Sequence, residues 1–326
     1  MNRNTYSIET AENITINGAM QNIRIRGTNP SNPILLFLHG GPGICDRHTV
    51  LKYHSGLADI CTLVCWDQRG AGLSYHAKQA KQEHLTISDM IEDAAQVIRH
   101  LNEEFHTQKV SVLGHSWGSV LGVLLAQKYP ELVEQYIGMG QFVSGPENEL
   151  LSYQFTYQQA AKHADGYALS QLKKIGEPVE GRYSCVNDMT VQRKYLSKYG
   201  GAVFGESTPV IRSVLIPLLE TSEYRLTDIP AYAKGSFYSL EELWDEVVSL
   251  NFRESVPSLN IPIWILQGNH DQNTPTILAK EWFNRLDAPS KHWVSFEHSA
   301  HHPIKEEPQK WEQTVRGIVT KQSSEQ

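Results

Sequence analysis

Val112-Leu-Gly-His-Ser-Trp-Gly-Ser119 is the stretch on which the fold turns. Its middle, Gly114-His-Ser-Trp-Gly118, has to reverse a strand into a helix within a few residues. Such a turn holds Ser116 in a strained backbone conformation with its hydroxyl projecting, and a side chain two positions before or after it would collide with the turn. Gly and Ser are common, so the pattern needs its context. Lys109-Val-Ser-Val-Leu113 reads as a strand before it, and Gly118–Lys128 reads as a helix after it, ending before Pro130. A strand–helix turn without chemistry is the plain alternative. The readable strand and helix on either side favour a serine nucleophile.

The same alternation continues in both directions. Pro33-Ile-Leu-Leu-Phe-Leu38 and Ile60-Cys-Thr-Leu-Val-Cys-Trp66 are continuous apolar runs, the pattern of strands covered on both faces. From Thr86, a plausible N-cap with Asp89 three residues on, apolar residues recur at helical spacing as far as Phe105. Gln135–Met139, Pro262–Gln267 and His292–Phe296 are further strands, the last two followed by helical stretches at Thr276–Leu286 and Ile304–Val319. Ile14-Thr-Ile and Ile23-Arg-Ile-Arg flank Asn17-Gly18, a hairpin signal. Strands alternating with helices predict an α/β fold with a mostly parallel sheet covered on both sides, preceded by an N-terminal hairpin. Residues 143–250 break the rhythm: they look helical and contain nine of the fourteen tyrosines. We expect them to be an inserted helical cap or lid, with 1–142 and 251–326 forming the core.

Composition narrows the function classes. Hydrophobic residues make up 40% of 326 and the net charge is −7, so the chain is globular. With no long Lys/Arg block, it is not expected to take nucleic acid or an anionic membrane as partner. Four cysteines, Cys45, Cys61, Cys65 and Cys185, are too few for a disulfide framework. The first residues carry no apolar stretch of secretory type, and no apolar run approaches a membrane span. These readings lead to the expectation of a cytoplasmic protein.

A serine hydroxyl needs a base, and the base needs a carboxylate to orient it. In a fold of this kind the partners follow in the order Ser, Asp/Glu, His, each on a loop beyond the C-terminal end of a strand. Gly268-Asn-His-Asp271 puts Asp271 after the Ile263–Gln267 strand, where it could equally cap the next helix; Asp287, at that helix's far end, is the weaker choice. Glu297-His-Ser-Ala-His-His-Pro303 offers three histidines for the base. His301 is chosen because it stands two residues before the proline that opens the last helix. No carboxylate stands at the short spacing a metal site of these histidines would need, so no metal and no cofactor are expected. The oxyanion donors are the backbone N–H of Trp117 and one from His39-Gly-Gly-Pro-Gly43, for which Gly41 is chosen.

His39-Gly-Gly-Pro-Gly43, Trp66-Asp-Gln-Arg-Gly-Ala-Gly-Leu-Ser74 and Gly114-His-Ser-Trp-Gly-Ser119 together resemble the prolyl aminopeptidase (proline iminopeptidase) branch of the α/β-hydrolase superfamily. Ser299-Ala-His301-His-Pro303 is similar to the superfamily's catalytic-histidine segment. The resemblance covers about Ile34–Met139 and Pro262–Val319 well and the insert loosely. It implies a Ser116–His301–Asp271 triad, an oxyanion hole at Gly41 and Trp117, and a lid over the pocket, with Asp67 and Arg69 as a loop-stabilising pair. It also implies lid carboxylates holding a free α-amino group. Glu206, Glu220, Glu223, Glu241 and Glu242 are candidates, and a solvated helix face explains each as well. Tyr224 and Trp244, with the other lid aromatics, would line an apolar pocket. The expected substrate is a peptide with an N-terminal proline or other small apolar residue. A small hydrophobic ester or amide is the rival substrate, and a ligand-binding protein without catalysis is a rival of another class.

Overall fold

The computed structural model describes residues 6–82, 84–205, 218 and 220–321. Its eight strands are β1 (Ile8–Ile16), β2 (Ala19–Gly27), β3 (Ile34–Leu38), β4 (Thr62–Asp67), β5 (Val110–His115), β6 (Val133–Met139), β7 (Ile263–Gly268) and β8 (Lys291–Phe296). They form one sheet in the order β1-β2-β4-β3-β5-β6-β7-β8. From β4 to β8 every neighbouring pair is parallel; β1 and β2 pair antiparallel, and β2 joins β4 antiparallel. The hairpin turns where the sequence placed it. Asn17 and Gly18 both have positive φ (+47° and +79°), as a two-residue turn between right-twisted strands requires.

The apolar runs are buried on both faces because helices cover both. Side chains alternate across a strand. Ile34, Leu36 and Leu38 of β3 pack with residues of α2 (Ile87–Phe105) and α3 (Trp117–Lys128). Leu35 and Phe37 pack on the opposite side, against α1 (Arg47–Tyr53) and the C-terminal helix. Thr86 caps α2: its hydroxyl accepts the Asp89 amide at 3.1 Å.

Residues between β6 and β7 fold as α4 (Gly145–Lys162), α5 (Gly166–Ile175), α6 (Val186–Lys198), α7 (Ile229–Ser249) and the short α8 (Phe252–Ser255). The two ends of this insertion are joined. Gly145 N–H donates to Leu250 O at 2.9 Å, Phe252 N–H donates to Val143 O at 2.8 Å, and Ser144 bridges Asn251 between them. The chain returns through α9 (Thr276–Arg285), α10 (Pro303–Glu306) and α11 (Pro308–Lys321). The last two replace the single expected helix. Proline at 308 disfavours helical geometry at the preceding residue, and Glu307 leaves it with φ −128° and ψ 59°. Among the described residues no helix is long and apolar enough to cross a membrane.

Candidate active site

β5 delivers Ser116 to the turn before α3 with φ +55° and ψ −117°, a region that residues with a Cβ seldom occupy. The turn is closed by Ser116 N–H donating to Met139 O at 3.0 Å, and by the Ser119 amide and hydroxyl donating to Ser116 O at 2.8 and 2.6 Å. Both flanking glycines are sterically obligatory. A Cβ on Gly114 would overlap the Gly118 carbonyl, and one on Gly118 would overlap the Leu38 carbonyl. Trp117 is the first residue of α3, so its N–H has no partner inside the helix and points out of the helix end.

Asp271 lies beyond the end of β7 and is completely buried. One oxygen, Oδ1, accepts the amides of Asn273 and Thr274, both at 2.9 Å. The other, Oδ2, accepts Gln267 Nε2 at 3.1 Å, the Thr274 hydroxyl at 2.8 Å and His301 Nδ1 at 2.8 Å. The carboxylate therefore fixes the His301 tautomer: Nδ1 carries the proton, and Nε2 is left with its lone pair. Asp287, the weaker candidate, instead pairs through its backbone with Pro257 and Leu259.

The loop that carries His301 is held on three sides. Its amide donates to Ala202 O of the insertion at 3.1 Å. Glu306 accepts the amides of Ala300 and His302, at 3.1 and 2.8 Å, and that of Phe204 at 2.5 Å. Burial raises the Glu306 carboxyl, and these amides work against the rise. Glu307 accepts the His298 amide at 2.9 Å and the Ser299 hydroxyl at 2.8 Å. Neither glutamate was singled out from the sequence. For Glu306 the available signal was an acidic residue in the first turn of a helix, placed to reach back to amides of the preceding loop. Of the other two histidines, His298 is exposed. Burial, together with His115, His301 and Lys305, holds the His302 imidazole well below its usual range.

The three motif blocks interlock. Gly40 O accepts the Ile44 amide at 3.1 Å to close the glycine turn, a bond in which the Gly41 amide takes no part. His39 directs Nδ1 to Gly40 O at 2.9 Å, while its Nε2 accepts the Gln68 amide at 3.2 Å. Burial lowers its pKa, in keeping with a neutral ring. The Gln68 side chain donates to His39 O and accepts Trp117 Nε1 at 2.8 Å. Helix α7 then packs over this assembly: Tyr232, Ser236 and Ser239 donate their hydroxyls to Cys45 O, Gly43 O and Gly70 O at 2.8, 2.8 and 3.0 Å.

Several sequence expectations are corrected here. Asp67 and Arg69 both hold their loop, each through its own partners. Arg69 is held by the buried Asp93 at 2.6 and 2.7 Å, whereas Asp67 faces Arg47 at 3.6 Å and accepts the Tyr224 hydroxyl at 2.9 Å. The Tyr224 hydroxyl is thus engaged in that network. Glu223 is committed likewise, facing Arg24 at 3.2 Å and Arg26 at 3.3 Å, because β2 directs both arginines at this end of the insertion. Glu220 is exposed and pairs with Lys52 at 3.2 Å. Trp244 packs against the core cluster that contains α2 and α3. Glu206 lies outside the described residues. Glu149 was not anticipated: it is buried, its Oε1 faces Arg193 at 2.5 Å, and its Oε2 has no hydrogen-bond partner. Its neighbour Asn148 donates to Asn273 O, in the Asp271 loop, at 2.9 Å. Among the described residues only Glu12, His100 and Glu104, on β1 and α2, bring three ligand-type atoms within 4.8 Å of one another.

Comparison with known families bears on the fold. The family model described as alpha/beta hydrolase fold matches residues 33–308. The chain belongs to that family. This α/β hydrolase is 33% identical over 312 residues to the probable aminopeptidase YbaC of Bacillus subtilis (strain 168), covering 95% of this chain and 96% of that one. It is 24% identical over 300 residues to a proline iminopeptidase of Clostridium botulinum (strain Hall), covering 90% and 92%. Among solved structures, the proline iminopeptidase of Mycobacterium smegmatis superposes with a TM-score of 0.68 at 15% identity, covering 96% and 98%, a likeness of fold.

Proposed function

We propose that this α/β hydrolase is a serine aminopeptidase that releases N-terminal proline or another small apolar residue through an acyl-enzyme. The observation that carries the reading is the His301–Asp271 pair at 2.8 Å, on a loop whose His301 carbonyl meets the ring of His115, the residue before the strained Ser116. In this mechanism Ser116 Oγ attacks the substrate carbonyl as its proton passes to His301 Nε2. Asp271 keeps Nδ1 protonated and stabilises the imidazolium. The amides of Trp117 and Gly41 receive the developing oxyanion. His301 then returns the proton to the leaving amine, and water, activated by the same ring, cleaves the acyl-enzyme.

The amino-terminal preference draws on the named relatives and on the helical insertion, which acts in this reading as a lid. A free ammonium group needs an acceptor-only partner, and the buried Oε2 of Glu149, which has no hydrogen-bond partner, is the candidate. Turnover of proline p-nitroanilide, its N-blocked form and short-chain p-nitrophenyl esters tests the proposal. Hydrolysis of the free-amino substrate at least tenfold faster than the blocked one is expected. Turnover of the esters alone would reject the peptidase reading and leave an esterase.

A further inference from the structure

His115 stands between the nucleophile and the base, and the proposed chemistry assigns it nothing. It is the last residue of β5 and the chain neighbour of Ser116. Its side chain is almost fully buried, and Nε2 lies 3.0 Å from the backbone carbonyl of His301. A carbonyl oxygen only accepts, so the proton is on Nε2. Nδ1 has no hydrogen-bond partner of ordinary length, but it faces Asp46 Oδ2 at 3.7 Å. Asp46 stands at the N-cap position of α1, just after the glycine turn, makes no side-chain capping bond there, and is itself buried. Gly40, in that turn, comes so close that a Cβ there would stand 3.3 Å from His115 O, 3.3 Å from Ser116 Cβ and 3.5 Å from His115 Nδ1.

The ring therefore joins three separate parts of the site: the end of the strand just before Ser116, the loop that carries His301, and the loop proposed to bind the oxyanion. We propose that His115, tied to the His301 carbonyl and facing Asp46, is a positioning residue that fixes the spacing between Ser116 and the His301 imidazole. The proposal rests on the reading of Ser116 as nucleophile and His301 as base. The rest of the pocket agrees with it. The His115 ring lies 5.0 Å from the His301 ring and 5.1 Å from the His302 ring, with His39, His48 and Lys305 as the other titratable groups around it and Asp46. Burial would raise the Asp46 carboxyl, but the His115 ring, with Lys305 and His48, outweighs it and holds the group down to about 2.

His115→Phe keeps the ring's bulk and removes both nitrogens. His115→Gln restores one N–H donor. The readouts are kcat and KM on proline p-nitroanilide and p-nitrophenyl butyrate, and the second-order rate at which a fluorophosphonate labels Ser116. For His115→Phe we expect kcat and labelling rate to fall ten- to a hundredfold with KM within threefold of the parent, and His115→Gln to recover most of the loss. A purely structural residue would instead lower the amount of folded protein, without this split between kcat and KM. If His115→Phe does not fold, Asp46→Ala, which leaves the ring in place, must lower kcat three- to tenfold at unchanged KM. Parent-like kcat and labelling in the folded His115→Phe protein, or in Asp46→Ala, would overturn the proposal. A parent enzyme whose Ser116 resists the fluorophosphonate would overturn the underlying reading as well, so the two failures are distinguishable.

Discussion

Gly140, with φ +56°, lies flat against the His301 imidazole: a Cβ at this position would stand 2.9 Å from both Cε1 and Nδ1 of the ring. The residue follows β6 and passes under the base at the one point where no side chain fits. Gly140→Ala must either push the ring from Asp271 or shift the turn after β6. A displacement of about 1 Å at a catalytic group costs on the order of a hundredfold in rate. We expect kcat to fall by at least tenfold while circular dichroism stays that of the parent. An alanine variant with undiminished turnover would show that the ring's position is not set from this side.

Asp271 receives five hydrogen bonds, of which the one from His301 bears on chemistry and the other four hold the carboxylate still. Asp271→Asn keeps the shape of the side chain but can present an N–H to Nδ1, which favours the wrong tautomer of His301. In a comparable triad that change lowers turnover by about 10⁴. Ser116→Ala is expected to cost on the order of 10⁶ and to abolish fluorophosphonate labelling. Steady-state rates on one p-nitroanilide and one ester suffice. A loss under tenfold in either variant would remove that residue from the mechanism.

What the sequence made legible was set by short-range physics. The buried strands are continuous apolar runs, the hairpin turn is Asn17-Gly18, and the two elbow glycines follow from the steric demands of a tight strand–helix turn. The pairing of Asp271 with His301 follows from topology, since both sit on loops at the same end of adjacent parallel strands. Side-chain partners between distant elements were not legible. Nothing near Arg69 in the chain points to Asp93, which faces it from α2, and nothing near Glu223 points to the two arginines of β2. The split of the last helix could have been read from Pro308 by itself.

The Arg69–Asp93 pair gives a stability prediction. Asp93 is completely buried on α2 and also accepts Gln21 Nε2 at 2.7 Å and Asn17 Nδ2 at 2.8 Å. Removing the guanidinium leaves a buried carboxylate without its cation, which typically costs about 3–5 kcal/mol. Arg69→Leu should therefore lower the unfolding free energy obtained from urea titration by an amount of that order. The doubly apolar Arg69→Leu/Asp93→Leu should recover part of it, because no charge is then stranded. Equal stability of the single variant and the parent would mean that the two amides alone satisfy Asp93.

Glu149 offers a way to separate lid from triad. Its Oε1 is engaged by Arg193 and its buried Oε2 has no hydrogen-bond partner, so Glu149→Gln removes the charge that would meet an ammonium group and keeps the volume. The expected outcome is a KM for proline p-nitroanilide raised about tenfold, the equivalent of one charge-assisted hydrogen bond, with ester hydrolysis unchanged. Equal effects on both substrates would assign Glu149 to the lid's own packing against Arg193.

Acid should unfold this protein through its buried histidines before its carboxylates. Burial holds His48 down at about 4, with Lys305 and Arg47 adding to the effect, and it lowers His39 and His302 as well. In the unfolded chain each of these rings takes up a proton near pH 6.5. Between that value and the folded one the unfolded state binds more protons, so stability rises with pH through this window and is lost as pH falls. For His48 alone the loss by pH 4 is about 3 kcal/mol, taking 1.36 kcal/mol per unit. Asp46 acts at lower pH: held near 2 against an ordinary 3.8, it contributes above about 3.8 and gives that contribution up only below it. Urea unfolding at pH 7.5, 6.0 and 5.0 should give steadily falling free energies, with His48→Asn lessening the slope. A free energy flat from pH 7.5 to 5.0 would mean that the rings are solvated and titrate as in the unfolded chain.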